Sequence, residues 1–241
     1  MNPVIDLGSL KTNLAKRTIR DQVCDRITSM VQSGLLQGGD ELPSERELAA
    51  TLEVSRETIR GAIQMLAARG MVEISQGSRT RVRDSAHFHR APQSSLQAAS
   101  PEGEKHVFEA RRIVELPTIR IAVERIGEED LLRLRRLVDA QREMTADPVR
   151  FQISDAEFHS AIYRAAGNPM LEEFLNRSYS FGLDYRRRVL LGDAAVELSV
   201  SDHEAILDGF LRRDADAAET AMARHLDRIH RTTIEVMSAA S

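Results

Sequence analysis

The sequence predicts a mainly α-helical protein in two parts, an N-terminal winged helix-turn-helix and a C-terminal all-α helical bundle. In residues 1–83, two capped helices joined by a short turn and followed by two β-prone runs predict the first part. Apolar residues recur at helical spacing through almost all of residues 105–241 and predict the second part. Between them, residues 84–104 are rich in Ser, Ala, Pro and Gln without apolar periodicity, which is typical of a linker.

The composition is that of a globular chain without membrane segments. Of the 241 residues, 42% are hydrophobic and 29% are charged, and no stretch approaches the ~20 apolar residues that cross a bilayer. The N-terminus has no signal-peptide pattern, so we expect the protein in the cytoplasm. Cys24 is the only cysteine, which excludes an intrachain disulfide and a thiolate zinc cluster within one chain. Its place in an amphipathic segment predicts a small, packed side chain.

Three helices are predicted in the N-terminal part from apolar spacing and capping residues. Residues 16–35 show the spacing of one amphipathic helix. Ser44 is a natural N-cap, and Glu47, three residues later, completes a capping box for the second helix. Ser55 is the N-cap of the third helix, which Gly70 ends.

The third helix and the segment after it carry the pattern of a DNA reader. The helix places Ile59, Ile63 and Leu66 on one side and Glu57, Arg60 and Gln64 on the other. Residues 71–75 and 79–83 are β-prone and flank Gln76-Gly77-Ser78, which predicts a small hairpin, the wing. In such a module the second helix of the pair enters the major groove with its N-terminus first.

The net charge of −4 argues against a nucleic-acid partner, because phosphate binding favours a basic surface. The local distribution favours DNA, since arginines cluster on the predicted reading surface. Those near the third helix and along the wing are Arg46, Arg56, Arg60, Arg79, Arg81 and Arg83. We therefore predict a DNA-binding module despite the acidic total.

The C-terminal part is predicted to contain about six helices, separated near Gly127, Pro148, Gly167, Gly192 and Asp214. No strand pattern competes with this interpretation.

Four residues of this part form a candidate metal site. Asp155 and His159 are four residues apart and so share a helix face, about 5–6 Å apart at Cβ. His203 and His225 lie on two other predicted helices that could converge with the first in a bundle. A single histidine on such a helix is more often a satisfied core residue than a ligand, so the residues alone leave both interpretations open.

Residues 34–82, GLLQGGDELPSERELAATLEVSRETIRGAIQMLAARGMVEISQGSRTRV, resemble the GntR family of bacterial regulators. The resemblance implies that Arg46, Arg56 and Arg60 contact DNA, that Ser55 and Thr58 contact phosphate or bases, and that Gln76 and Gly77 lie at the wing tip. Two departures stand out. Gly61 replaces the usual Glu, and the wing reads GSRTRV where GRGTFV is commoner, which adds positive charge.

The segments EARRIVELPTIRIAVERIGEEDLLRL, DAEFHSAIYRAAGNPML and SDHEAILDGFLRRDADAAETAMARHL resemble the FCD ligand-binding domain of the FadR subfamily. In that family an Asp and three His coordinate a divalent metal, which carries over onto Asp155, His159, His203 and His225. Three imidazoles and one carboxylate suit Zn²⁺ or Ni²⁺, and Mn²⁺ less well, so ligand type alone does not fix the metal; we expect Zn²⁺.

The FCD resemblance also implies a small organic acid as effector, bound at the metal and at Arg111. Arg112 is the neighbouring comparator, and Arg111 could instead form an ion pair with Glu115 one turn on. We expect a homodimer, because dimers of such modules read pseudo-palindromic operators.

The predicted function is an effector-responsive transcriptional regulator, with repression relieved by a carboxylate effector. A regulator in which the metal ion itself is the signal is the alternative. An enzyme is disfavoured, because no metalloenzyme motif such as H-E-x-x-H accompanies the histidines.

Overall fold

A computed structural model describes residues 18–32, 34–74, 79–83, 101–181, 183–192 and 194–239. Its N-terminal domain contains α1 (Ile19–Gln32), α2 (Glu45–Leu52), α3 (Arg56–Ala68), β1 (Val72–Glu73) and β2 (Arg81–Val82). The two strands are antiparallel, with Val72 opposite Val82. The winged helix-turn-helix prediction is confirmed, although the wing tip at 75–78 lies outside the described residues.

The predicted caps mark where α2 and α3 begin. Ser44 Oγ accepts a hydrogen bond from the Glu47 N–H, and the Glu47 carboxylate accepts one from the Ser44 N–H at 2.9 Å. Ser55 Oγ accepts from the Thr58 N–H at 3.1 Å. Between the helices, Glu53 adopts a left-handed conformation with φ of 53°, which turns the chain within three residues. Local side-chain chemistry thus defines both helix starts.

The N-terminal core is apolar and includes the single cysteine. Cys24, Ile27, Ile59 and Leu66 are almost completely buried between α1 and α3. The prediction of Cys24 as a packed side chain is confirmed. Burial of this aliphatic surface, at about 25 cal/mol per Å², stabilises the reader and leaves the polar face of α3 exposed.

The C-terminal domain is an all-α bundle. Its helices are α4 (Pro101–Arg125), α5 (Glu128–Gln141), α6 (Pro148–Ala165), α7 (Pro169–Tyr179), α8 (Leu183–Leu190), α9 (Ala195–Leu211) and α10 (Ala215–Ala239), with a 3-10 turn at Arg142–Met144. The long helices α4 and α10 pack against each other, and α6 and α9 complete the core around Phe158, Phe210 and Met222. None of the described helices is long and apolar enough to span a bilayer.

Two boundaries differ from the sequence prediction. The predicted linker ends at residue 104, whereas α4 begins at Pro101, where proline and the acidic residues Glu102 and Glu104 favour a first helical turn. The described part of the bundle has one α-helix more than predicted, because the chain also turns between Tyr179 and Leu183. The turn lets α8 pack on α6, α9 and α10. The apolar residues on both sides of the turn keep helical spacing.

The two domains pack closely, with α6 and α8 of the bundle against the reader. Ile153, Tyr179 and Leu183 extend the apolar core of the N-terminal domain. Ion pairs surround this contact and join Arg26 to Glu157, Arg136 to Glu53, Arg150 to Glu47 and Arg187 to Asp40. The position of the reader is therefore tied to the helices that carry the candidate metal ligands.

Candidate metal centre and DNA-binding surface

Three histidines from three helices meet in the core of the bundle. His159 on α6, His203 on α9 and His225 on α10 are 1%, 0% and 4% exposed. One ring nitrogen from each lies within 4.8 Å of the others. Residues separated by 44 and 22 positions in the sequence thus form one compact set of nitrogen donors.

Asp155 completes the predicted set from the turn of α6 before His159. Its Oδ1 lies 3.2 Å from His203 Nε2 and 3.9 Å from His159 Nε2. Its other oxygen, Oδ2, accepts a hydrogen bond from the Tyr179 hydroxyl. The structure therefore brings all four sequence-predicted metal ligands together.

Outer hydrogen bonds orient the imidazoles. Gln141 Nε2 donates to Ser154 Oγ at 3.2 Å, so Gln141 Oε1 accepts from His203 Nδ1 at 2.7 Å. Asp202 Oδ2 lies 3.3 Å from His225 Nδ1, so this ring, like that of His203, has an outer acceptor at Nδ1. Such partners hold a ligating histidine in one tautomer and raise its basicity.

This orientation leaves acceptors facing each other. With Nδ1 of His203 donating outward, its Nε2 carries a lone pair toward Asp155 Oδ1, and this buried nitrogen has no hydrogen-bond partner among the described residues. His159 Nε2 also lies toward the same carboxylate. A carboxylate oxygen and an imidazole lone pair 3.2 Å apart repel each other unless a proton or a metal cation lies between them. The donor set therefore fits a divalent metal ion.

The ionisation states of the histidines and of Asp155 are those that a metal site requires. Burial lowers the pKa of His225 to about 3, against the opposing effect of Asp202, and burial also lowers the pKa of His203. Burial opposes ionisation of Asp155, but its contact with His203 and the other imidazoles holds the pKa of this carboxyl well below its usual range. Neutral imidazoles beside an ionised carboxylate are the forms that bind metal.

A cavity of about 30 Å³ lies beside this cluster. Asp155, His159 and His225 form one wall, and Arg111 and Arg186 contribute to the others. A cavity of this size holds about two water molecules, so an organic ligand requires the surrounding side chains to move apart. Three of the candidate metal ligands thus line a small cavity, next to Arg111.

Arg111 lines the pocket and is ion-paired at the same time. Its NH2 and Nε lie 2.9 and 3.1 Å from Glu115 Oε2, so the alternative pairing with Glu115 is present. Burial raises and Arg111 lowers the pKa of Glu115, with a net value of about 2. Arg112 instead pairs with Asp227 near the surface. Of the two adjacent arginines, only Arg111 faces the pocket.

The predicted DNA-binding residues of the helix-turn-helix lie at the start of α3. Ser55 and Thr58 form its cap, and Arg46, Arg56 and Arg60 are exposed beside it. Arg60 pairs with Glu45 at 2.9 Å across the two helices. The surface is therefore basic and accessible, and one of its arginines, Arg60, is ion-paired with Glu45 of the same domain.

The wing arginines are also exposed. Arg81 pairs with Glu41 at 2.6 Å, and Arg79 lies 3.5 Å from Asp147 of the bundle. Gln76 and Gly77, the other predicted wing contacts, lie outside the described residues.

Comparison with known proteins identifies the chain. Residues 19–82 match the model of the family described as bacterial regulatory proteins, gntR family, and residues 106–228 match the FCD domain. The chain belongs to the GntR family. It is 32% identical to the HTH-type transcriptional repressor NanR of Cronobacter sakazakii, over 91% of this chain and 86% of that protein. An uncharacterized HTH-type regulator of Bacillus subtilis, YcbG, is 31% identical over 91% of this chain and 92% of its own length.

A solved structure supports the fold of this GntR-family regulator. Escherichia coli McbR/YncC superposes with a TM-score of 0.54 at 18% identity and covers 92% of this chain and 98% of that one. The protein is thus a DNA-binding transcriptional regulator, and its domains and relatives are those of regulators and not of enzymes.

Several residues of the regulator escaped sequence reasoning. Arg20 of α1 lies against Gly61, where an added Cβ would come within 2.4 Å of its Nε. Arg20 is exposed, so the end of its side chain can move away from an added Cβ. In the bundle, Gln141 and Asp202 orient the histidines, and Arg186 stacks 4.7 Å above the Tyr179 ring. Only Asp202, adjacent to His203, had a visible sequence cue.

Proposed function

We propose that this GntR-family regulator holds a divalent metal, most favourably Zn²⁺, at Asp155, His159, His203 and His225 and senses a small carboxylate beside it. The observation that carries the proposal is the convergence of three buried histidines, with Asp155 Oδ1 3.2 Å from His203 Nε2 and with Asp155, His159 and His225 lining a pocket. When bound, the metal supplies positive charge and an open coordination position for a carboxylate.

Arg111 supports a carboxylate ligand at this site. A guanidinium has five N–H donors, and Glu115 accepts from only part of this set. The remaining donors can form charge-assisted hydrogen bonds with an effector carboxylate in the pocket. Because Glu115 fixes the guanidinium in place, little side-chain entropy is lost when the ligand binds.

The route from pocket to DNA runs through α8. Leu183 and Arg186 line the pocket, while the neighbouring Arg187 forms a bidentate ion pair with Asp40 of the reader. A ligand that moves α8 must therefore change how the reader sits on the bundle. An effector can shift the position of the reader on the bundle only if it binds more tightly to one arrangement of the two domains than to the other.

We further propose a homodimeric repressor that releases its operator when the effector binds. One recognition helix covers only a short half-site, and two-fold dimers read paired half-sites. The name of the Cronobacter relative, a repressor, favours this direction. Light scattering of the free protein is expected to give twice the 27.0 kDa of one chain, and a monomer both free and on DNA would contradict the dimer.

The test measures operator affinity of metal-free and Zn²⁺-loaded protein, with and without L-lactate, L-malate and D-gluconate. The operator fragment is obtained by selection from random DNA. We expect an acid to weaken operator binding of the metal-loaded protein about 5- to 150-fold, the range of typical coupling energies. A response to Zn²⁺ alone, unchanged by every acid, would support the alternative in which the ion is the signal.

Reciprocity and a matched pair of variants sharpen this experiment. Operator DNA must lower effector affinity by the same factor by which the effector lowers DNA affinity. Arg111→Ala is expected to abolish both effects without changing metal content, whereas Arg112→Ala, which removes a surface ion pair with Asp227, retains them. Equal acid affinity with and without operator would show that the pocket is not the regulatory site.

A further inference from the structure

Gln152 is a buried amide in the pocket wall with no partner for either of its polar atoms. Its side chain is 1% exposed, and neither Nε2 nor Oε1 forms a hydrogen bond among the described residues. It lies three residues before Asp155 and seven before His159 on α6, so all three share one helix face. All three line the same pocket.

An unpartnered amide of this kind is unfavourable in the free protein. More than nine in ten buried polar groups in folded proteins are hydrogen-bonded, since desolvation without a partner is costly. Much of the remaining lining is apolar and offers no replacement, as with Val189, Leu190, Leu226 and Ile229. Ser199 is polar, but its hydroxyl oxygen already accepts from Arg228 at 3.0 Å. Gln152 therefore has one hydrogen-bond donor group and one acceptor available for a ligand.

We propose that Gln152 is a specificity-determining residue that makes this pocket selective for hydroxycarboxylates. A hydroxyl both donates and accepts, so it complements an amide with a free Oε1 and a free Nε2. In this arrangement the acid group lies at the Arg111 end of the pocket and the hydroxyl of the same molecule hydrogen-bonds Gln152. The inference rests on the proposed carboxylate-sensing function and narrows its ligand class.

The selectivity arises because a ligand without a hydroxyl cannot form hydrogen bonds with the Gln152 amide. A carboxylate without a hydroxyl that binds in the opened pocket leaves the amide buried and unpartnered, as it is in the free protein. A site built to hydrogen-bond a ligand hydroxyl discriminates against the analogue that lacks it. The loss corresponds to roughly 10- to 100-fold in affinity.

The experiment compares hydroxy acids with their deoxy partners on the full-length, Zn²⁺-loaded protein by calorimetry. The pairs are L-malate with succinate, L-lactate with propionate, and D-gluconate with hexanoate. In the wild type, at least one hydroxy acid is expected to bind about 10- to 100-fold more tightly than its partner. Gln152→Met, of similar length, should bind both members of that pair equally.

Thr233→Val is the matched control. Thr233 Oγ1 is also buried and unpartnered, but it lies on α10 outside the pocket lining. This variant should keep the hydroxyl preference, and without any acid Gln152→Met should melt no lower than the wild type, because no hydrogen bond is lost. A lower melting temperature would indicate a structural role and contradict the proposal.

Two outcomes overturn the inference, and they differ from failure of the proposed function. Equal binding of hydroxy and deoxy acids by the wild type, which needs no variant, refutes hydroxyl recognition. A preference that survives in Gln152→Met refutes the role of this residue. If no acid of either kind binds, the carboxylate-sensing function itself fails, and the selectivity proposal falls with it.

Discussion

Replacement of Arg187 by alanine should uncouple the pocket from the DNA reader. Arg187 lies on α8 next to Arg186 of the pocket, and its guanidinium forms two hydrogen bonds with the Asp40 carboxylate. Asp40 and Arg187 are only 8% and 21% exposed, so the pair is shielded from water. Charge-assisted hydrogen bonds contribute about 1.5–3 kcal/mol when one partner is removed.

The expected effect is somewhat smaller than that range. Asp40 also accepts a hydrogen bond from the Gln37 N–H at 2.8 Å, so Arg187→Ala does not leave its carboxylate without partners. We take ~1–2 kcal/mol for the lost pair, which corresponds to about 5- to 30-fold. Typical coupling energies are ~1–3 kcal/mol. Loss of the pair is therefore large enough to remove most of the effect of an acid on operator affinity.

The assay titrates operator DNA with the Zn²⁺-loaded protein in the presence and absence of an acid that binds. For Arg187→Ala we expect the ratio of the two affinities to fall below about threefold, while acid affinity without DNA stays close to wild type. Arg136→Ala is the control, since Arg136 also reaches the reader through Glu53 but lies on α5, at 59% exposure and away from the pocket. Unchanged coupling in Arg187→Ala, or equal loss in both variants, would refute α8 as the route.

Arg56→Ala should lose operator preference while the fold is kept, because it removes a groove contact of about 1–3 kcal/mol; equal loss on random DNA, measured by fluorescence anisotropy, would count against base reading. Arg81→Ala should weaken binding to all sequences and flatten the salt dependence, and an unchanged salt slope would contradict a phosphate contact. His203→Ala should lower both Zn²⁺ content and melting temperature, since a metal bound only by the folded state stabilises it; unaltered metal stoichiometry and affinity would disprove the site. Gly209→Ala should destabilise the bundle by more than about 2 kcal/mol in denaturant unfolding, because its Cβ would lie 2.6 Å from the backbone N of Ala218 on α10; a loss below 0.5 kcal/mol would mean that the two helices can separate at little cost.

Much of the candidate site was accessible from sequence, and the structure adds how it is assembled. The spacing of Asp155 and His159 predicts a shared helix face, but the same spacing is compatible with two satisfied core residues. The convergence of His203 and His225 on that face depends on how α6, α9 and α10 pack. The FCD resemblance bridged this gap by supplying a known packing.

The sequence by itself determined the features that arise within a few residues of one another. Ser44 and Glu47 form their capping box because both lie in one helical turn, and Ser55 starts α3 for the same reason. Apolar spacing likewise located most helices, since a helix that packs on a core must place its apolar side chains at intervals of about 3.6 residues.

Tertiary structure alone decided the features that join distant residues. The ion pair of Arg187 with Asp40 and the missing partner of Gln152 leave no mark in the local sequence. Each depends on which side chains from other helices arrive at the same place, and a one-dimensional pattern of apolar and polar residues is compatible with many such arrangements. Close packing of the bundle selects one of them, and with it the polar atoms that remain free for a ligand.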